Sequence, residues 1–176
     1  MRIRKNIARA IFFFLISANS FAGPSFQFLS FELAQNYSKS LERFDTAYNL
    51  GLGIGKVFEK GTIELNPLII LDDQENTRIN NQSAIYKLHG FLIGLEYNQI
   101  LNPIMTFGAG VYYELANETF ASEETKLTLA ENKENSYLAC MQMKFFLPQF
   151  RPYLRIQFGS KVHDYSFILG TSLIHY

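Results

Sequence analysis

The 176-residue chain holds one cysteine, Cys140, and no tryptophan. A single thiol excludes any disulfide within the chain. If the protein is secreted, its stability has to come from elsewhere, for example from a sheet closed on itself. An excess of one charge sign is also missing, because 16 basic residues balance 16 acidic ones. Four of the basic residues, Arg2, Arg4, Lys5 and Arg9, lie within the first 22 positions, and every acidic residue lies beyond them. Residues 23–176 therefore carry 12 basic against 16 acidic groups, a net charge of −4. That balance argues against nucleic acid as a partner, since its binding needs a basic footprint, and it leaves no polybasic patch for an anionic membrane surface. Long hydrophobic runs are absent too. Ala10–Ile16 is apolar, but it falls far short of the ~20 residues that span a bilayer as a helix. The chain has no Gly-rich phosphate loop, no metal-spaced cluster and no Asp-x-Asp-x-Asp-Gly calcium loop, so no cofactor and no metal is expected.

The beginning of the chain reads as an address. The four basic residues, the short apolar stretch and the small-x-small triplet Ser20-Phe21-Ala22 form the pattern of a secretory signal cleaved before Gly23. The expected division is residues 1–22 as signal and 23–176 as one domain. The residue directly after the cleavage site is Gly23 and not a cysteine, which argues against a lipid anchor. Without an apolar helix, such a chain enters a membrane only as a closed barrel.

Eight segments rich in aromatic and branched residues read as strands: Ser25–Tyr37, Ala47–Glu59, Thr62–Asp72, Ser83–Tyr97, Pro103–Ala116, Asn135–Leu147, Arg151–Ser160 and Asp164–Tyr176. The connections alternate in length. Lys60-Gly61, Asn98–Asn102 and Pro148–Phe150 are short, whereas Ser38–Thr46, Asp73–Gln82 and Asn117–Glu134 are longer and polar; Lys161–His163 is a short exception. Short turns on one rim and long loops on the other are the asymmetry of an outer-membrane barrel, and an even strand count puts both termini on the periplasmic side.

A period of two divides each strand into faces. Met105, Phe107, Ala109, Val111, Tyr113 and Leu115 oppose Thr106, Gly108, Gly110, Tyr112 and Glu114; Tyr137, Ala139, Met141, Met143 and Phe145 oppose Cys140, Gln142 and Lys144. The polar faces carry about one charge per strand, padded with Gly, Thr, Gln and Asn. That density is too low for a soluble exterior, so the apolar faces are placed against lipid and the polar faces in a narrow lumen. Glu32, Glu64, Glu96, Glu114, Lys144 and Arg155 are expected there as a packed ion-pair network, since eight strands leave room only for side chains. A conducting pore is the alternative. Tyr48, Tyr97, Tyr113, Tyr137, Phe145 and Tyr176 fall near apolar strand ends, as interfacial girdles do. Cys140 is expected as a buried structural thiol.

Two further clusters could carry activity. The Asn117–Glu134 loop holds Glu118, Glu123, Glu124, Glu131 and Glu134 with Lys126 and Lys133, and reads as either a solvated hairpin or a surface that meets an extracellular partner. His163, Asp164 and Ser166 contain the residue types of a base, an orienting group and a nucleophile. Adjacent strand residues point to opposite faces, however, so His163 and Asp164 are poorly placed to pair, and no enzyme activity is expected. His175 reads as an interfacial residue of the closing strand.

On the signal segment, the alternating strands, the rim asymmetry and the aromatic ending Ser172-Leu-Ile-His-Tyr176, the chain resembles the small eight-stranded bacterial outer-membrane proteins, both the adhesin and serum-resistance type and the OmpA-type transmembrane barrel. The resemblance implies an all-β, eight-stranded antiparallel up-and-down transmembrane barrel after a cleaved signal peptide, integral to the outer membrane. It further implies outer-membrane lipid and the barrel-insertion machinery as partners, an extracellular ligand for the loops, and an adhesive, structural or envelope-integrity role. The alternatives are a narrow pore or small-molecule channel, or a lipid A-modifying enzyme, as some barrels of this kind are. The terminal aromatic Tyr176 would be read by that machinery, and its face of the last strand is placed outward.

Overall fold

The computed structural model describes residues 25–79, 82–147 and 150–175. The expected signal segment and Tyr176 lie outside them. Eight strands follow one another: β1 (Ser25–Ser38), β2 (Arg43–Phe58), β3 (Gly61–Ile79), β4 (Gln82–Asn102), β5 (Met105–Ser122), β6 (Thr128–Phe145), β7 (Phe150–Phe158) and β8 (His163–His175). Each pairs antiparallel with the next, and β8 pairs back onto β1 from Gln27↔His175 to Ser38↔His163, closing the ring. Within the closed part, each strand is paired on both sides, which removes the edge there.

Period-two alternation gives the barrel two very different surfaces. Leu52, Ile69, Leu95, Phe107, Val111, Met141, Leu154 and Leu169 point outward and are exposed. Between them in sequence, Ser30, Glu32, Glu64, Asn66, Glu96, Asn98, Gln142, Lys144, Arg151 and Arg155 point inward and are buried. Apolar outside and polar inside is the reverse of a soluble barrel, and it is the pattern of a barrel in lipid.

Toward the rim where β3 meets β4 and β5 meets β6, the pattern inverts. Along β4, outward Phe91, Ile93, Leu95 and Tyr97 give way to outward Lys87 and His89, while inward Glu96 and Asn98 give way to buried Leu92, Leu88, Tyr86 and Ala84. Strand β5 repeats the switch, with Asn117 and Thr119 outside and Ala116 and Phe120 buried. On β4 and β5 this part has a mainly apolar inner face, Glu118 excepted, and a polar outer face, as a protein in water does.

This inversion corrects the expected loops. Two of the three long polar connections are mainly strand. β3 and β4 pair up to Ile79↔Gln82, and β5 and β6 pair up to Ala121↔Thr128. The connection expected at Asn117–Glu134 shrinks to residues 123–127, closed by Ser122 N–H donating to the Leu127 carbonyl at 2.8 Å, with Lys126 in the left-handed region at φ 59°. The Asn98–Asn102 turn is likewise strand, since β4 runs to Asn102. Polar residues suit these extensions because a strand above an apolar belt needs no lipid-facing side chains.

The extensions are uneven around the ring. Among the described residues, β2–β3 pairing stops on this side at Tyr48↔Leu71 and β6–β7 pairing at Ala139↔Phe158. Four strands, β3 to β6, therefore project as a sheet beyond the closed part of the barrel.

Candidate functional site

The inward face of the closed part is filled by one polar cluster. Arg155, on β7, donates from Nη2 to Glu32 Oε2 at 2.6 Å and from Nη1 to Glu96 Oε1 at 3.3 Å and to the Tyr112 hydroxyl at 2.6 Å. Its guanidinium lies over the Tyr112 ring, 4.6 Å from the centroid. The Tyr153 hydroxyl donates to Glu32 Oε1 at 2.6 Å, and Asn49 Nδ2 donates to Glu32 Oε2 at 2.9 Å. Tyr112 in turn donates a short hydrogen bond to Glu96.

Lys144, on β6, bridges two carboxylates, Glu64 at 2.7 Å and Glu96 at 2.6 Å. Gln142 joins Glu96 at 2.7 Å to Asn98 at 2.8 Å. Arg151 donates to Glu64 at 2.8 Å, and the Thr62 hydroxyl adds a bond to the same carboxylate at 2.9 Å. Three carboxylates thus meet three cations, and every member is buried. Buried charge is tolerated only when it is paired and hydrogen-bonded in this way.

The rings that fill the lumen need neighbours without side chains. A Cβ at Gly94 would run into the Tyr112 ring, and one at Gly170 into the Tyr153 ring. Cys140 lies on the same inward face, buried and free.

Of the six charges expected in the lumen, Glu32, Glu64, Glu96, Lys144 and Arg155 come together. Glu114 does not join them. It is buried further along β5 and accepts from Ser160 at 2.5 Å. Arg151, the first residue of the expected seventh strand, is absent from the expected set although it shares the parity of Tyr153 and Arg155 on β7. The phenols of Tyr112 and Tyr153 also went unnoticed as donors, and the available signal was an aromatic residue on a polar face.

The cluster expected in the extracellular loop divides. Glu123, Glu124 and Lys126 are exposed in the 122–128 turn region, and Glu131 sits on the projecting part of β6. Glu118 is a correction: it belongs to β5, faces inward and is fully buried, accepting from Tyr86 at 3.0 Å, Ser40 at 3.0 Å and Asn132 at 3.2 Å. Outside, Glu131 is held below the usual carboxylate range by hydrogen bonds from Lys133 and Asn117 and by the Lys133 charge.

His163 and Ser166 face inward and are buried, while Asp164 points out and pairs with Lys39 at 3.6 Å. The residue types of a triad are present without its geometry. Tyr48, Tyr97 and Tyr137 are exposed on the outer wall; Tyr113 packs on Tyr137 at a centroid distance of 5.2 Å, and Phe145 is half-buried. A second outer aromatic group, Tyr37, Phe44, Tyr165 and Phe167, was not foreseen; Tyr37 stacks on Tyr165 at 5.5 Å. In β8, Ile168 is buried and Phe167 and Leu169 are exposed; the outward placement expected for Tyr176 falls outside the described residues.

No family model and no curated protein matches the sequence. Solved structures do. The attachment invasion locus protein Ail of Yersinia pestis superposes with a TM-score of 0.60 at 11% identity, covering 88% of this chain and 100% of that one. A second Ail structure, in complex with the heparin analogue sucrose octasulfate, gives 0.59 at 11% identity over 88% of this chain and 100% of that one. Neisserial surface protein A gives 0.54 at 8% identity, covering 85% and 95%. The chain has the fold of the small eight-stranded outer-membrane barrels. At these identities the likeness concerns the fold alone, so the barrel's specific role has to be argued from its own residues.

Proposed function

We propose that this protein is an integral outer-membrane barrel with a non-conducting lumen, which holds the β3–β6 sheet outside the cell as a surface for adhesion or envelope integrity. The carrying observation is the inversion of pattern along β4 and β5. It divides the molecule into a belt suited to lipid and a projecting sheet suited to water. The packed 3:3 charge cluster supports a plug rather than a channel. On this reading both ends of the barrel chain are periplasmic, Tyr48, Tyr97, Tyr113, Tyr137 and Phe145 sit at the membrane interfaces, and the barrel-insertion machinery is a partner. An enzymatic role is disfavoured because Asp164 faces away from His163.

The partner surface is the projecting sheet. Its β6 border, from Thr128 to Lys133, has no strand beyond it among the described residues, whereas Lys161 covers the border at Glu134 and Ser136. A free border of this kind can add an extended segment of another protein through main-chain hydrogen bonds. The exposed charges around the turn, Glu123, Glu124 and Glu131 against Lys126 and Lys133, leave this end slightly acidic. A cationic protein segment suits it better than a polyanion such as the one bound by Ail in its complex.

An epitope inserted between Glu124 and Thr125 tests the reading. It should stain on intact cells, and the protein should fractionate with the outer membrane as a heat-modifiable band. Staining only after permeabilisation, or recovery from the soluble periplasm, would overturn it.

A further inference from the structure

We propose that the chamber at the short-turn rim binds a small amphiphilic carboxylate, with its head on Arg151. The chamber has a volume of about 360 Å³, at the lower end of the range that holds small ligands. It is separate from the projecting sheet and lies at the opposite end of the barrel. Its walls are largely apolar, with Val57, Ile100, Phe146 and Ile174 among them, and Arg151 is the only charged residue lining it among those described.

Arg151 is only partly used by the lumenal cluster. Nη1 reaches Glu64, whereas Nε and Nη2 are buried without a partner. A buried guanidinium that leaves two donors unmade is costly, and such groups call for an occupant. The two free nitrogens form one edge of the guanidinium, the parallel fork that matches a carboxylate bidentately. Its plane is held by the Phe26 and Phe146 rings, 4.6 Å and 5.6 Å from the guanidinium carbon. One half-used cation in an apolar chamber fits a single negative head on a short hydrocarbon body. A neutral amphiphile would leave the fork unpaired, and a dianion would exceed the one available charge.

The test uses purified full-length protein in a non-ionic maltoside, with decanoate and decanol as probes. Methyl resonances of Val57, Ile100 and Ile174 report occupancy. Decanoate should shift them saturably, with contacts between its chain and Ile174, and decanol should bind at least tenfold more weakly. The double variant Arg151→Met with Glu64→Gln removes the fork together with the carboxylate it pairs. It should lower decanoate affinity at least tenfold and leave decanol unchanged. Val57→Trp fills the chamber without touching the charge cluster and should abolish decanoate binding. Equal binding of decanoate and decanol to the native protein would overturn the proposal, whatever the folding of the variants. So would unchanged decanoate affinity in the double variant, or absence of saturable shifts in folded protein, which would leave the chamber to water.

Discussion

Arg155 on β7 and Glu32 on β1 form a buried ion pair, 2.6 Å from Nη2 to Oε2, that reaches across β8. The strand between them presents Gly170 at that level, in register with Glu32 on one side and Tyr153 on the other. The seam where the last strand meets the first is thus fastened from inside by residues of its two neighbours. Closure depends on side chains 123 residues apart in sequence.

Arg155→Met should be strongly destabilising. It leaves Glu32 buried with only neutral donors and takes a cation from Glu96. Removing one side of a buried pair costs about 3–5 kcal/mol. Urea unfolding, followed by loss of the heat-modifiable folded band, should move to lower denaturant. The double variant Glu32→Gln with Arg155→Met should recover part of the loss, because no lone charge then remains at Glu32.

Gly170→Val should be damaging because the new side chain meets the Tyr153 ring. Overpacking of this kind costs about 1–3 kcal/mol. Gly170→Val combined with Tyr153→Leu should be less destabilised than the sum of the two single changes. A purely additive result in the same urea assay would remove the ring as the cause.

The apolar belt predicts a sharp contrast between two arginine substitutions. Val111 is 59% exposed on the outer wall of β5. Val111→Arg should cost about 2–4 kcal/mol if that wall meets lipid near the midplane. His89→Arg, on the polar part of β4, should stay within about 0.5 kcal/mol. Refolding yield and urea midpoint in vesicles measure both, and equal tolerance would place the belt elsewhere.

Planar bilayers containing the purified protein should show no regular conductance steps at neutral pH, since Arg155, Tyr112, Tyr153, Lys144 and Gln142 fill the section of the barrel that ions would cross. Reproducible single-channel steps in the native protein would establish a pore instead.

Glu131 should titrate below an ordinary glutamate, because Lys133 and Asn117 favour its charged form. With the folded pKa depressed, any stabilisation is present above the unfolded value and is lost as pH falls through the folded one. Carboxyl-detected NMR should show the depressed titration, and Lys133→Ala should move it back upward. The site is solvent-exposed, so global stability should barely respond.

The sequence by itself determined the strand count, the antiparallel order and the two faces of most strands. Alternation is local: a residue's parity in a strand sets its side, and lipid on one side and a crowded lumen on the other leave a strong contrast between Val111 or Met141 and Gln142 or Lys144. The same parity carried Glu32, Glu64, Glu96, Lys144 and Arg155 into one interior. Tertiary structure decided what parity cannot express. Which carboxylate meets which cation depends on stagger around a closed ring, and this is how Lys144 came to bridge Glu64 and Glu96 while Glu114 was left with Ser160. The reach of the strands beyond the belt was also hidden, because residues such as Asn117, Glu118 and Thr119 look like loop when the outside is assumed to be lipid. Once β4 and β5 leave that belt, water reverses the rule: Lys87, His89 and Asn117 turn outward and Leu88, Ala116 and Phe120 inward, and Glu118 is buried among them only because Tyr86, Ser40 and Asn132 donate to it.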